Sequence, residues 1–188
     1  MGNLSVGIAG SSYYEWARKG QIFVATATIT APVIYTTAAG TGGPLLWNNS
    51  PSNTSTVDAV ILAVSAGVTV ASTVAANLGL TGNSGQTAAP TSTTAIGSVA
   101  STYIGGAGVL PDCSVYSVGT VTNAGNFFMP THTLDTGALT TIPAALNWVG
   151  IEGAIVVAPG GWCSVAASAT ATTAVLTVGL MWVEIPVA

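Results

Sequence analysis

Residues 21–30 read Gln-Ile-Phe-Val-Ala-Thr-Ala-Thr-Ile-Thr, and this run decides the fold class. Ile22, Val24, Thr26 and Thr28 alternate with Phe23, Ala25, Ala27 and Ile29, the two-residue period of a strand rather than the 3.6-residue period of a helix. Such a strand offers one face to a core and the other to a partner. The same β-branched, alanine-rich texture returns in Pro44 to Trp47, Val57 to Val70, Val115 to Thr122, Trp148 to Val157, Gly161 to Ala167 and Ala174 to Ile185. Turn-forming clusters separate these runs: Gly40 to Gly43, Asn48 to Pro51, Gly82 to Gly85, Gly105-Gly106 and Pro159 to Gly161. The span Thr81 to Gly106, rich in Thr, Ser, Gly and Ala, reads as a long loop or weakly patterned insertion suited to partner contact.

No internal repeat appears, which argues against propellers and solenoids. Seven or eight strands within 188 residues predict an all-β fold, an antiparallel β-sandwich of jelly-roll type spanning residues 21–188. Residues 1–20 read separately, as an N-terminal arm or edge strand. They gather Tyr13, Tyr14, Glu15, Trp16, Arg18 and Lys19, three of the chain's eight charged residues beside a dense aromatic group.

Charged residues make up 4% of the chain, against roughly 25% in an average domain. With only two basic residues, the surface cannot neutralise a run of phosphates, so nucleic-acid binding is not expected. A hydrophobic share of 49% supplies material for a core, so a disordered chain is not expected either. The uncharged run from Ala59 to Leu80 is long enough to span a bilayer, but it is interrupted by Ser65, Gly67, Thr69, Ser72, Thr73 and Asn77 and lacks a flanking basic cluster; no membrane span is expected. The N-terminus lacks the basic segment and apolar run of a secretory signal.

Few residues offer chemistry. His132 lies near Asp135, but no nucleophile elbow accompanies them and hydroxyls are everywhere, so no triad is specified. The acids Glu15, Asp58, Asp112, Asp135, Glu152 and Glu184 are scattered and form no calcium loop. Cys113 and Cys163 lack zinc-motif spacing and read as free, buried thiols. The glycine-rich pieces lack the lysine and spacing of a phosphate cradle. Thr26, Thr28 and Thr30 form a threonine ladder that does not recur at a fixed period, so it reads as strand chemistry rather than an ice-binding face. No catalytic residue, metal or cofactor is expected. Five tryptophans, Trp16, Trp47, Trp148, Trp162 and Trp182, can fill a core, anchor an interface or stack on a sugar.

An exterior built of Thr, Ser, Asn, Gly and Ala repels copies of itself only weakly, so association is expected. The stretch from Ile155 through Pro159-Gly160-Gly161-Trp162-Cys163 to Val165, followed by Val178-Gly-Leu-Met-Trp-Val-Glu-Ile-Pro186, resembles the ending of small structural proteins of tailed bacteriophages. Gly43-Pro-Leu-Leu-Trp-Asn-Asn49 followed by Val60 to Val68 is similar to the same group. The resemblance covers about half the chain, by motifs of modest specificity. It implies a non-enzymatic virion protein on the capsid surface, a decoration or cement module acting as a homodimer or homotrimer and binding the major capsid protein or other virion proteins. Tyr13, Tyr14, Trp16 and Arg18 are the expected assembly interface. The alternative is a receptor- or glycan-binding fibre or spike tip, with contacts in Thr81 to Gly106 and on exposed Trp or Tyr.

Overall fold

The computed structural model describes residues 13–36, 41–49, 55–84, 88–96, 99–102, 104, 110–134, 147–170 and 173–187, with backbone alone at 41, 42, 127, 128 and 147. Eleven strands run through the described residues: β1 (Ile22–Thr30), β2 (Thr41–Trp47), β3 (Val57–Val70), β4 (Ala76–Asn83), β5 (Thr91–Ala95), β6 (Val99–Ser101), β7 (Ser114–Thr120), β8 (Phe127–Leu134), β9 (Asn147–Val157), β10 (Trp162–Ala167) and β11 (Val175–Pro186). They form two antiparallel sheets packed as a sandwich. The first has the order β6-β1-β11-β3-β9 and the second β5-β7-β2-β10-β4-β8.

Four hydrogen-bonded pairs are nested in the chain. β4 pairs with β8, β3 with β9, β2 with β10 and β1 with β11, so the chain runs out and back along one antiparallel ribbon. Successive pairs alternate between the two sheets, and β5, β6 and β7 are inserted between β4 and β8. Alternation explains which residues meet inside. Phe23, Ala25 and Ile29 of β1, Ile61 and Val64 of β3, Leu78 and Leu80 of β4, Cys163 and Val165 of β10, and Leu176, Val178, Leu180 and Trp182 of β11 share one buried core. Phe23 meets Trp182 with ring centroids 5.7 Å apart.

Two sequence expectations need correction. The span Thr81 to Gly106 is not one long loop: it holds the end of β4, then β5 and β6. β5 is exposed at every residue and, among the described residues, pairs with β7 alone at a sheet edge, so it has no buried face to write an apolar alternation into the sequence. β8 was hidden by Pro130, which ordinarily argues against a strand. Here β8 is an edge strand, where a residue without an N–H is tolerated.

Candidate assembly interface

The described part of the N-terminal segment is a short helix over 13–18, not an edge strand; residues 1–12 lie outside the described residues. Its end is set by Gly20, whose φ of 73° is the left-handed conformation that glycine adopts without penalty. The Gln21 N–H donates to the Trp16 carbonyl at 3.0 Å and the Gly20 N–H to the Ala17 carbonyl at 2.9 Å, the paired bonds of a Schellman cap. Arg18 and Lys19 sit at this C-terminal end, the favourable place for cations. The cap is tied to the body. Ser101 Oγ donates to the Gly20 carbonyl at 3.3 Å, and the Glu184 N–H donates to the Gln21 carbonyl at 3.1 Å.

This geometry divides the four residues singled out from sequence. Trp16, with Ala17, packs onto an apolar cluster of Ile22, Leu62 and Val183 on the outer face of the first sheet. Tyr13 stands edge-on to Trp16 at 6.0 Å and 80°, and is 40% exposed. Tyr14 is 62% exposed, and Arg18 is exposed as well. The helix therefore turns two phenols and a guanidinium outward, while the indole holds it to its own sheet.

Beyond the helix the same face changes character. Thr26 of β1, Gly179 of β11, Ser65 of β3 and Trp148 of β9 lie in register across four strands, followed by a row of Thr28, Thr177 and Gly67. Trp148 is 45% exposed, and its indole edge lies 3.0 Å from where a Cβ on Gly179 would stand. Of the five tryptophans it is the most exposed: Trp47, Trp162 and Trp182 are buried and Trp16 is half-buried.

Sequence reasoning missed a polar node at one end of the sandwich. Glu184 is buried, and its carboxylate accepts from the Asp112 N–H at 2.8 Å, the Cys113 N–H at 3.0 Å and the Trp182 indole Nε1 at 3.1 Å. Nearby in the chain fold, Asn48 is also buried. Its Nδ2 donates to the carbonyls of Val57 and Val157, both at 2.7 Å, and its Oδ1 accepts from Ser55 Oγ at 2.5 Å. Asn48 follows β2 in the second sheet, whereas Val57 and Val157 belong to the first, so one amide ties the two layers together. The signal for Glu184 was present, a lone carboxylate inside an apolar strand. Asn48 read as part of a turn and of a formal glycosylation sequon that carries little without a secretory signal.

The remaining candidates do not converge. His132 is half-buried on β8 with Nδ1 2.9 Å from Thr131 Oγ1, and Asp135 lies outside the described residues. Cys113 and Cys163 are free and buried. Burial pushes the Cys163 thiol up to about 12. Burial also raises Cys113, assisted by the neighbouring carboxylates of Glu184 and Asp112. Among the described residues no three His, Cys, Asp or Glu side chains cluster as a metal site, and no helix is long and apolar enough to cross a membrane. Comparison with protein-family models, with curated proteins and with solved structures finds no match to this chain.

Proposed function

We propose that this chain is a non-enzymatic virion structural protein, a decoration or cement module that self-associates and binds a capsid lattice through the helix at 13–18. The observation that carries the reading is the arrangement of that helix, which is fixed by Trp16 and its cap while Tyr13, Tyr14 and Arg18 face outward. Exposed aromatics and arginine are the residue types that dominate interface energetics. An exterior with almost no charge adds little repulsion between copies packed on a shell. The nested ribbon is also how a jelly roll of two Greek keys is wound, the architecture that capsid proteins use, and it agrees with the resemblance to tailed-phage structural proteins.

The test is co-sedimentation of the full chain with undecorated heads assembled from a tailed-phage major capsid protein. Tyr13→Ala/Tyr14→Ala should abolish attachment and leave the chain folded; attachment at the original affinity would overturn the role of the helix. A second reading, a glycan-binding tip, is favoured by one feature. Trp148 is 45% exposed in one row with Ser65, Gly179 and Thr26, an exposed indole suited to stacking on a sugar ring. Retention on a glycan array that Trp148→Ala removes would favour this reading over the first.

A further inference from the structure

We infer that Trp148 and Glu152 form a cation-accepting site on the outer face of the first sheet, and that its occupant is Arg18 of a second copy. The inference rests on the self-association proposed above and names the surface that receives the helix. A row of small residues seats the indole. Trp148 pairs with Ser65, and Ser65 with Gly179. The six-membered ring of Trp148 comes within 3.0 Å of where a Cβ on Gly179 would stand, so the side chain reaches across Ser65 to β11. That explains why Ser65, on an outer face, is 1% exposed, with a hydroxyl that has no hydrogen-bond partner among the described residues. The indole thus lies along the sheet rather than standing off it, and it remains 45% exposed. The negative face of such a ring attracts a cation placed over it.

A bulge brings a carboxylate beside the ring. Ala63 pairs with Gly150 but Ile61 with Ile155, so residues 151–154 of β9 fill the interval that Leu62 alone fills on β3. Bulges of this kind re-aim a side chain. Glu152 sits in the bulge with a φ of 52°, the left-handed conformation that is uncommon for a residue with a side chain. Its Cγ and Oε1 both lie 3.6 Å from where a Cβ on Gly150 would stand. Gly150 shares the outer face with Trp148, since Val149 between them packs onto the core. Two residues along a strand span about 7 Å, so a guanidinium resting on the indole has the carboxylate within reach of its N–H groups.

Charge complementarity selects the occupant. The chain's two basic residues are Arg18 and Lys19, both exposed at the end of the helix at 13–18. The planar guanidinium of Arg18 stacks on an aromatic face and forks onto a carboxylate, which the compact ammonium of a lysine does less well. Helix and site share one outer face. The helix rests on the row of Ile22 and Val183, and Trp148 lies in the row of Gly179, further along β11. A two-fold axis through this face therefore sets each helix on the other copy's site, so that the contact is made twice. Tyr13 and Tyr14, exposed on the same helix, are carried into the same interface.

The test is light scattering across a dilution series on the full chain, on Arg18→Glu, on Glu152→Arg and on the double variant Arg18→Glu/Glu152→Arg. Each single variant sets like charges against each other and should raise the dissociation constant about tenfold; the double variant should return it to within about threefold of the original. Trp148→Ala should weaken association by about tenfold as well. Arg18, Trp148 and Glu152 are all exposed, so these variants keep the fold, which the thermal midpoint checks. Single variants that associate like the original overturn the inference and leave self-association standing, and a double variant no better than the singles does the same. An original chain that stays monomeric at every concentration overturns the self-association reading itself, and this inference with it. Retention on a glycan array that Trp148→Ala abolishes, with association unchanged, also overturns it and makes the indole a sugar platform.

Discussion

Val183 and Glu184 are neighbours on β11, yet they serve opposite regions. Val183 faces outward under Trp16 and Ala17, a thin apolar cover made by one short helix. Glu184 faces inward with Trp182, where its carboxylate collects two backbone N–H groups and an indole N–H. The inner region is polar, buried and hydrogen-bonded; the outer one is apolar, shallow and crowned by exposed rings. In a low-dielectric interior each hydrogen bond is strong and each orphaned group costly, so stability concentrates at the inner node. The outer region has little to lose on truncation and more to offer a partner.

The largest effect is expected at Glu184. Glu184→Ala leaves three donors without their acceptor, two of them buried, and should destabilise the fold by about 3 kcal/mol, read from the denaturant midpoint. Glu184→Gln keeps an acceptor but turns an amide N–H₂ toward donors, and should cost less than the alanine. Equal stability of the alanine variant would show that the node is not where stability resides. Asn48→Ala comes next, at about 2 kcal/mol, because two carbonyls from the opposite sheet lose their donor. Asn48→Asp sharpens the point: a carboxylate would face the carbonyls of Val57 and Val157, so it should destabilise more than alanine does.

How far the sequence reached follows the same division. Strands with one face in the core were legible: Val57–Val70 was read at its observed bounds, and β1 and β11 within a residue at each end. β4 was not read, although Ala76, Leu78 and Leu80 alternate toward the core, because Asn77, Gly79 and Gly82 resemble turn chemistry. The outward Tyr13 and Tyr14 were legible as an unusual aromatic group. The inward use of Trp16 was not, since its partners Leu62 and Val183 lie far away in sequence. The polar node was invisible for that reason too: Glu184 and its partners Asp112 and Cys113 are brought together only by the closing of the sandwich.

The buried thiols extend the contrast to pH. Cys163 titrates near its ordinary 9.0 when the chain is unfolded and is pushed up to about 12 by burial in the fold. Above pH 9 the folded state therefore holds a proton that the unfolded state has lost, and stability falls as pH rises toward 12. The slope is about 1.4 kcal/mol per pH unit for each such thiol. Cys113, raised in the same direction, adds to it. Denaturant midpoints taken from pH 8 to pH 11 should decline only above pH 9, and Cys163→Ala should remove its share of the decline. A flat profile would mean that the core admits water to the thiol.

The smallest effect on stability belongs to the outer region, where the comparison is sharpest. Trp16→Ala removes a half-buried indole from Ile22, Leu62 and Val183 and should cost about 1 kcal/mol. Tyr13→Ala/Tyr14→Ala removes one ring that is 62% exposed and one that is 40% exposed and edge-on to Trp16, and should change stability by about 0.5 kcal/mol. Light scattering across a dilution series separates the roles. If the helix is a contact surface, the double tyrosine variant loses association with only that small change in stability, because Tyr14 is mostly exposed and Tyr13 loses its edge-on contact with Trp16. Trp16→Ala should lose both, because the helix then has nothing to hold it in register. The opposite pattern, association unaffected by the tyrosines while stability drops, would make the helix a lid for Val183 and nothing more.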